Sequence, residues 1–379
     1  MSVPLPSSIL NPRRILIRGV NWLGDAVMTT PALIRLREKF PDAHIALLTP
    51  EKLRDLWLHH PAVNETLPFA TGESPFAIGR RLRAGQFDLA LVLPNSPRSA
   101  LEVFLARIPR RVGYGRPWRN WFLTDVIPPR PGAVKMKKRS PAEIERLISA
   151  NSAIRNPQSA IRNPAAHQLH EYLHLTAALG ANEAALAPRI EIEPGEIKSV
   201  CERFELQPDV PCFGLNPGAE YGPAKRWPAE RFIAAAQEIQ KRMPCLWLVF
   251  GSKNETELAS RIQTGIGNEK LAVRNLAGQT SLRELMALLR FCRVLLTNDT
   301  GPMHLAAALG TPVVVPFGST SPELTGPGSP GDARHHLLKA DVPCAPCFLR
   351  ECPIDFRCMN GIGVERVVEA MLRASSSSR

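Results

Sequence analysis

The sequence predicts an α/β fold in which a strand, a tight turn and a helix recur along the chain, and three segments predict it. Between Val294 and Pro322 an apolar run stops at Asn298-Asp299, Thr300-Gly301-Pro302 opens a helix reading MHLAAALG, and a second apolar run, PVVVPFG, follows Gly310-Thr311. Between Phe213 and Phe232 a short apolar strand enters a Gly/Pro-rich turn, and a helix begins at Trp227-Pro228. Between Arg13 and Pro50 the strand ILIRG, the turn NWLGD, a helix and the strand HIALLT give the same unit again. At 379 residues the chain has room for two or three domains, each able to bury a core.

Taken in order, the first unit places a helix from about Ala26 to Phe40, with Val27, Pro31, Leu33, Ile34, Leu36 and Phe40 on its core face. Gly24 and Asp25 stand at its start, off that face. An Asp there serves either as an N-cap or as a carboxylate at the mouth of a ligand site, acting as general base. FDLALVLPNS (Phe87 to Ser96) and RRVGYG (Arg110 to Gly115) supply further strands of a first Rossmann-like domain, assigned to residues 1–185. SAIRNP occurs at Ser152 to Pro157 and again at Ser159 to Pro164, which reads as an expanded, mobile insertion at about 150–166 with no effect on catalysis. HQLHEYLHLTAALG (His167 to Gly180) is an amphipathic helix, and APRIEIEPGE leads into a second Rossmann-like domain at 186–360. Residues 361–379 give a last helix, GVERVVEAMLRA, and a Ser-rich tail expected to be disordered from Ser375.

The second half carries the anion chemistry. The turn before the MHLAAALG helix leaves the N–H groups of Thr300 and Gly301 at a helix N-terminus, where the macrodipole favours an anion. Pro217, Gly218 and Ala219 bring backbone close to a ligand, Glu220 beside them is a further substrate-binding candidate, and Lys225 adds a mobile point charge suited to phosphate. Two such strand ends imply a diphosphate. The plainer alternatives are an ordinary turn with Asp299 as a cap and a solvated Lys225-Arg226 pair. Glu255, after the strand LWLVF, stands where a strand-end carboxylate binds a ribose, or is a surface Glu at a helix start.

Charge and composition bound the partners. Residues 1–180 contain 25 Lys and Arg against 13 Asp and Glu, whereas the remainder has 22 of each, so the net charge of +12 belongs to the first half. That asymmetry suits an anionic acceptor at a membrane surface, and no nucleic-acid-binding motif accompanies it. The N-terminus has no apolar signal-like region and no run approaches a membrane span, which places the chain in the cytoplasm. Cys201, Cys212, Cys245 and Cys292 read as small core residues. Cys344, Cys347, Cys352 and Cys358 are spaced either for zinc or as reduced thiols in a Pro-stiffened loop.

The segments ILIRGVNWLGDAVMTTPAL, DTGPMHLAAALGTP, PCAPCFLRECP and, most specifically, NPGAEYGPAKRWP resemble the glycosyltransferase family that includes the ADP-heptose:lipopolysaccharide heptosyltransferases, along nearly the whole chain. The resemblance implies a GT-B architecture, two Rossmann-like domains facing a central cleft, with the nucleotide sugar held mainly by the second and with no metal and no cofactor. It implies an ADP-heptose donor, a phosphorylated Kdo-lipid A core acceptor, peripheral contact with the inner membrane, and inversion at the anomeric carbon. Asp25 would be the base, and Lys225 with the backbone of Thr300 and Gly301 would neutralise the departing diphosphate. Asp299 and His304 match the family's D-T-G-P-x-H motif and would orient sugar and phosphates. The rivals are another sugar-nucleotide transferase on the same fold and a noncatalytic nucleotide-binding module. A dinucleotide dehydrogenase is disfavoured because no G-x-G-x-x-G follows the first strand.

Overall fold

Runs such as Ile15-Leu16-Ile17, Leu89 to Val92 and Val313 to Val315 are apolar on both sides, and that pattern suits only a parallel sheet covered on both faces. The computed structural model, which describes residues 11–149, 164–267 and 273–376, contains two such sheets. The first comprises β1 (Arg14–Arg18), β2 (His44–Pro50), β3 (Glu65–Phe69), β4 (Leu89–Val92), β5 (Arg110–Tyr114) and β6 (Asp125–Ile127). The second comprises β7 (Cys212–Asn216), β8 (Leu246–Val249), β9 (Val273–Asn275), β10 (Val294–Thr297), β11 (Val313–Phe317) and β12 (His336–Lys339). All ten pairings are parallel.

The orders are β3-β2-β1-β4-β5-β6 and β12-β11-β10-β7-β8-β9. Counted from the first strand of each sheet, both are the Rossmann order 3-2-1-4-5-6. Each therefore reverses direction once, between β1 and β4 and between β7 and β10, and ligands of such sheets bind beyond the carboxyl ends of the strands at that point. Every motif singled out above, except the cysteines and the repeat, follows one of these strands or a neighbour.

The chain divides into two compact units, one with the described residues of Met1–Ala133 and Gln168–Glu191, the other with those of Val134–His167 and Ile192–Arg379. In the first, Leu16, Leu48, Ala90 and Val92 of the sheet pack with Ile78, Leu82 and Val103 of the helices Pro75–Arg83 and Pro97–Leu105. Ser74 and Ser96 cap those helices through their hydroxyls, each followed by Pro in the first turn. In the second, Phe213, Leu215, Trp247 and Val249 pack with Phe232 and Ile239 of Ala229–Arg242 and with Val367, Val368 and Met371 of Val364–Ser376. The helix Pro141–Ser149 joins the second unit, with Ile144 packed on Cys344 and Cys347.

Two boundary expectations are corrected. The first helix runs Leu23–Lys39, because Trp22 with extended backbone ends the strand-to-helix turn, so Asp25 is the third helical residue and not the N-cap. The last helix continues through Ser376, so Ser375 is helical, where its hydroxyl bonds back to Leu372 O at 2.8 Å. The first copy of SAIRNP lies outside the described residues, as does the second apart from Pro164, which opens a short 3-10 turn.

Candidate functional site

In the second unit, β7 and β10 are neighbours with Asn216 opposite Thr297, so two motifs about eighty residues apart in sequence end side by side. Two asparagines lock the loops beyond them. Asn216 Nδ2 donates to Thr297 Oγ1 at 3.3 Å and Thr300 Oγ1 at 3.2 Å. Asn298 Nδ2 donates to Pro217 O at 2.7 Å and Gly218 O at 3.3 Å, and its Oδ1 accepts the Trp227 N–H at 2.9 Å. Trp227, fully buried, fixes the start of Ala229–Arg242 and with it the turn that carries Lys225.

Lys225 is not a solvated charge. Its Nζ stands 2.6 Å from Asp299 Oδ2 and 3.4 Å from Asp299 O, and lies 5.0 Å above the Tyr221 ring. The same Asp299 oxygen accepts the Thr320 hydroxyl at 2.6 Å. The pair is 15% and 4% exposed on the side chains of Lys225 and Asp299. Tyr221 is itself held: its Oη donates to Phe348 O at 2.8 Å, and Arg350 Nε donates to Tyr221 O at 2.6 Å. The cysteine-bearing loop thus braces the Lys225 turn, a link invisible in the sequence because the partners lie more than 120 residues apart.

The helix after β10 runs Gly301–Ala308, with Thr300 as its N-cap residue and Pro302 in its first turn; Thr300 makes no side-chain cap bond. The cap reading of Asp299 is therefore corrected, since its carboxylate is committed to Lys225 and Thr320. His304 is buried in that helix, and burial pushes its imidazole down to about 4 despite Asp299 nearby, so it is neutral at ordinary pH. Glu255 lies against Gly218: a Cβ on Gly218 would come within 1.8 Å of Glu255 Oε1, so a side chain there would have to displace the carboxylate. The other carboxylate oxygen accepts from Ser252 N at 2.8 Å and Ser252 Oγ at 2.9 Å. Ala219 is buried and Glu220 is exposed. The structure thus brings Gly218, Ala219 and Glu255 together on one loop system, and Lys225, Asp299, Thr300, Gly301 and His304 on the next.

In the first unit, the helix Leu23–Lys39 begins beyond the carboxyl end of β1, with Gly24 and Asp25 in its first turn. Asp25 Oδ1 accepts from Gln168 Nε2 at 3.0 Å, and the same amide nitrogen reaches Tyr172 Oη at 3.1 Å. Burial, then the Asp25 charge, raises the Tyr172 phenol well above its ordinary range, so it stays a phenol. Beside this, Arg18 at the end of β1 makes a buried ion pair with Glu102 at 2.8 Å and donates to Gly19 O and Asn21 Oδ1. Gln168, Thr320, Asn298 and the Arg18–Glu102 pair were not found by sequence reasoning. The order Arg-Gly-x-Asn after an apolar strand was the nearest signal.

Cys344, Cys347, Cys352 and Cys358 line one small, partly open pocket with Ile144, Ala224 and Ser319. Burial raises the thiols of Cys344 and Cys347 and pushes Cys358 up to about 12, which keeps them protonated. Among the described residues no three His, Cys, Asp or Glu side chains are grouped so as to hold a metal ion.

Comparison with known proteins bears on the fold and the family. The model of glycosyltransferase family 9 (heptosyltransferase) matches residues 133–356. Lipopolysaccharide heptosyltransferase 2 of Salmonella typhimurium is 33% identical over 321 residues, 83% of this chain and 85% of that protein. The Escherichia coli protein of the same name is 34% identical over the same shares. The solved structure of E. coli ADP-heptose lps heptosyltransferase II superposes with a TM-score of 0.75 at 28% identity, covering 96% of this chain and 99% of that one.

Proposed function

The chain belongs to glycosyltransferase family 9, the heptosyltransferases, and is a glycosyltransferase of lipopolysaccharide synthesis with the α/β GT-B fold; from that premise we propose how it works. It moves L-glycero-D-manno-heptose from ADP-heptose to the first heptose of the phosphorylated Kdo-lipid A core, as a heptosyltransferase II does. The acceptor oxygen attacks the anomeric carbon as the bond from that carbon to the diphosphate oxygen breaks, with inversion. Asp25 takes the acceptor proton, oriented by the Gln168 amide. ADP leaves with its new charge facing the Lys225 ammonium and the uncapped start of Gly301–Ala308. That interaction grows in the transition state, and so raises the rate rather than merely tightening binding.

Asp299 and Thr320 hold Lys225 at the strand ends, neutral His304 offers a hydrogen bond without adding charge, and Glu255 with Gly218 and Ala219 takes the adenosine ribose. Gly24 keeps the backbone open beside Asp25, and Glu220 contributes from the rim of the same loop. The observation that carries the donor assignment is the Lys225–Asp299 pair, 2.6 Å long, at the reversal between β7 and β10. The enzyme works in the cytoplasm as a peripheral protein on the inner membrane; among the described residues no helix is long and apolar enough to cross one. The test is an assay with ADP-heptose against core acceptors carrying zero, one or two heptoses. Transfer only to the one-heptose acceptor supports the proposal, transfer to the heptose-free core would indicate heptosyltransferase I activity, and no transfer to any would overturn it.

A further inference from the structure

Tryptophan is costly to leave in water, yet the turn after β5 holds two in the open. Trp118 is 77% and Trp121 81% exposed, with ring centroids 6.5 Å apart in an edge-on pair. Exposed Phe104 and Val126 belong to the same β5–β6 side of the first unit, Phe104 through its contact with Phe122 at 5.4 Å. The indoles are not on a loose loop. Arg119 between them is completely buried, its Nη1 donating to Pro94 O at 2.8 Å and Asn95 Oδ1 at 3.2 Å, and Arg116 N donates to Asn120 Oδ1 at 2.9 Å. Trp118 itself has a φ of 63°, a left-handed backbone that a bulky residue adopts only when its surroundings impose it. The fold therefore spends strain to keep this ring outward.

The charge around the turn is one-sided. Residues 97–124 contain six arginines and a single acidic residue, Glu102, which is buried against Arg18 and Arg98. Arg107 and Arg116 make no ion pair with a carboxylate among the described residues, Arg111 has only the more distant charge of Asp125, and Arg83 on the adjoining helix reaches across to Leu105 O at 2.9 Å. Indoles prefer the depth of lipid headgroups, and arginines beside them pair with anionic phosphates while their stems lie along the apolar boundary.

We propose that this Trp118–Trp121 turn and its arginine collar dock the chain on an anionic phospholipid bilayer. The inference deepens the peripheral-membrane reading above by naming the surface and the lipid chemistry. The first measurement is co-sedimentation of the full chain with vesicles of phosphatidylcholine alone and of phosphatidylcholine with phosphatidylglycerol, neither containing donor or acceptor. The wild-type protein should bind the anionic vesicles preferentially, with a blue shift of its tryptophan emission. Trp118→Ser with Trp121→Ser should lower the partition coefficient about tenfold or more. Arg107→Gln and Arg116→Gln should each lower it about fivefold on the anionic vesicles only. The double tryptophan variant should keep its melting temperature and its transfer rate to a soluble core oligosaccharide, and lose rate only on vesicle-borne acceptor. A wild-type protein that ignores both vesicles, or a double variant that binds as well as wild type, overturns the proposal while leaving the transferase reading standing. A dimer that depends on the two indoles, without vesicle binding, overturns it in favour of a second copy of this chain. Loss of transferase activity with intact vesicle binding would instead sink the transferase reading alone.

Discussion

Lys225→Ala should separate a donor clamp from a structural cation. The side chain bridges the turn after β7 to Asp299 after β10, and removing it leaves a nearly buried carboxylate with the Thr320 hydroxyl on the same oxygen. Breaking a buried pair by deleting one partner costs about 3 to 5 kcal/mol. The partial exposure of Lys225 trims this to about 2 to 4 kcal/mol, a fall in melting temperature of roughly 4 to 16 °C for a domain of this size. If Lys225 also meets the diphosphate as the sugar departs, a further 2 to 4 kcal/mol is lost from transition-state stabilisation, which lowers kcat/KM roughly thirtyfold to a thousandfold. The assay is steady-state transfer from ADP-heptose well below the melting transition, with the melting temperature measured beside it. A variant that melts early but turns over normally would refute the clamp and leave Lys225 a strut for two loops.

Asp25→Ala should cut turnover roughly a hundredfold or more while ADP affinity, measured by calorimetry, changes little; Gln168→Ala, which takes one hydrogen bond from the carboxylate without removing the carboxylate, should cost roughly tenfold or less. Near-normal turnover in Asp25→Ala would dismiss it as the base. Gly218→Ala must displace the Glu255 carboxylate from its place beside the β7 loop, so the KM for donor should rise while Asp25-dependent chemistry persists; an unchanged KM would remove Glu255 from the nucleotide site. His304, His60 and His335 are each pushed down to about 4 by burial, while the unfolded imidazole protonates near 6.5. Stability should therefore be full above about pH 6.5 and fall as pH drops toward 4, by up to about 1.4 kcal/mol per pH unit for each histidine. Urea midpoints at pH 7.5 and 5 check this, and a His304→Gln variant with an undiminished slope would exclude His304 as a contributor.

What the sequence made legible was local. Parallel strands buried on both faces write themselves as apolar runs, and the turns after β1, β7 and β10 carry Gly, Pro and polar residues whose backbone chemistry is readable at close range. Edge strands were less visible: β3 contains Pro68, tolerated because the strand has a neighbour on one side only, and β9 is just Val-Arg-Asn. The start of the first helix was misplaced because Gly24 resembles a boundary, whereas the backbone turns at Trp22. The partners that give the candidate residues their settings, Gln168 for Asp25 and Thr320 for Asp299, come from distant segments with no periodic signature. No pattern could announce that the described residues of Val134–His167 join the second unit before the chain returns to complete the first.

That excursion matters at the ribosome. The helix Leu169–Ala177 covers the helix Leu23–Lys39, and Tyr114 Oη donates to Glu171 O at 2.8 Å, so the first unit needs residues made well after its sixth strand. While they are being added the nascent sheet is complete but one flank of it is bare, an interval of several seconds at ordinary rates of synthesis. The helix Pro141–Ser149 cannot settle either, because the cysteine-bearing loop it packs on has not been translated. The two halves are nested in time, each waiting for a piece delivered with the other. A message that stops after His167 therefore yields two unfinished bodies and not one folded domain with a tail.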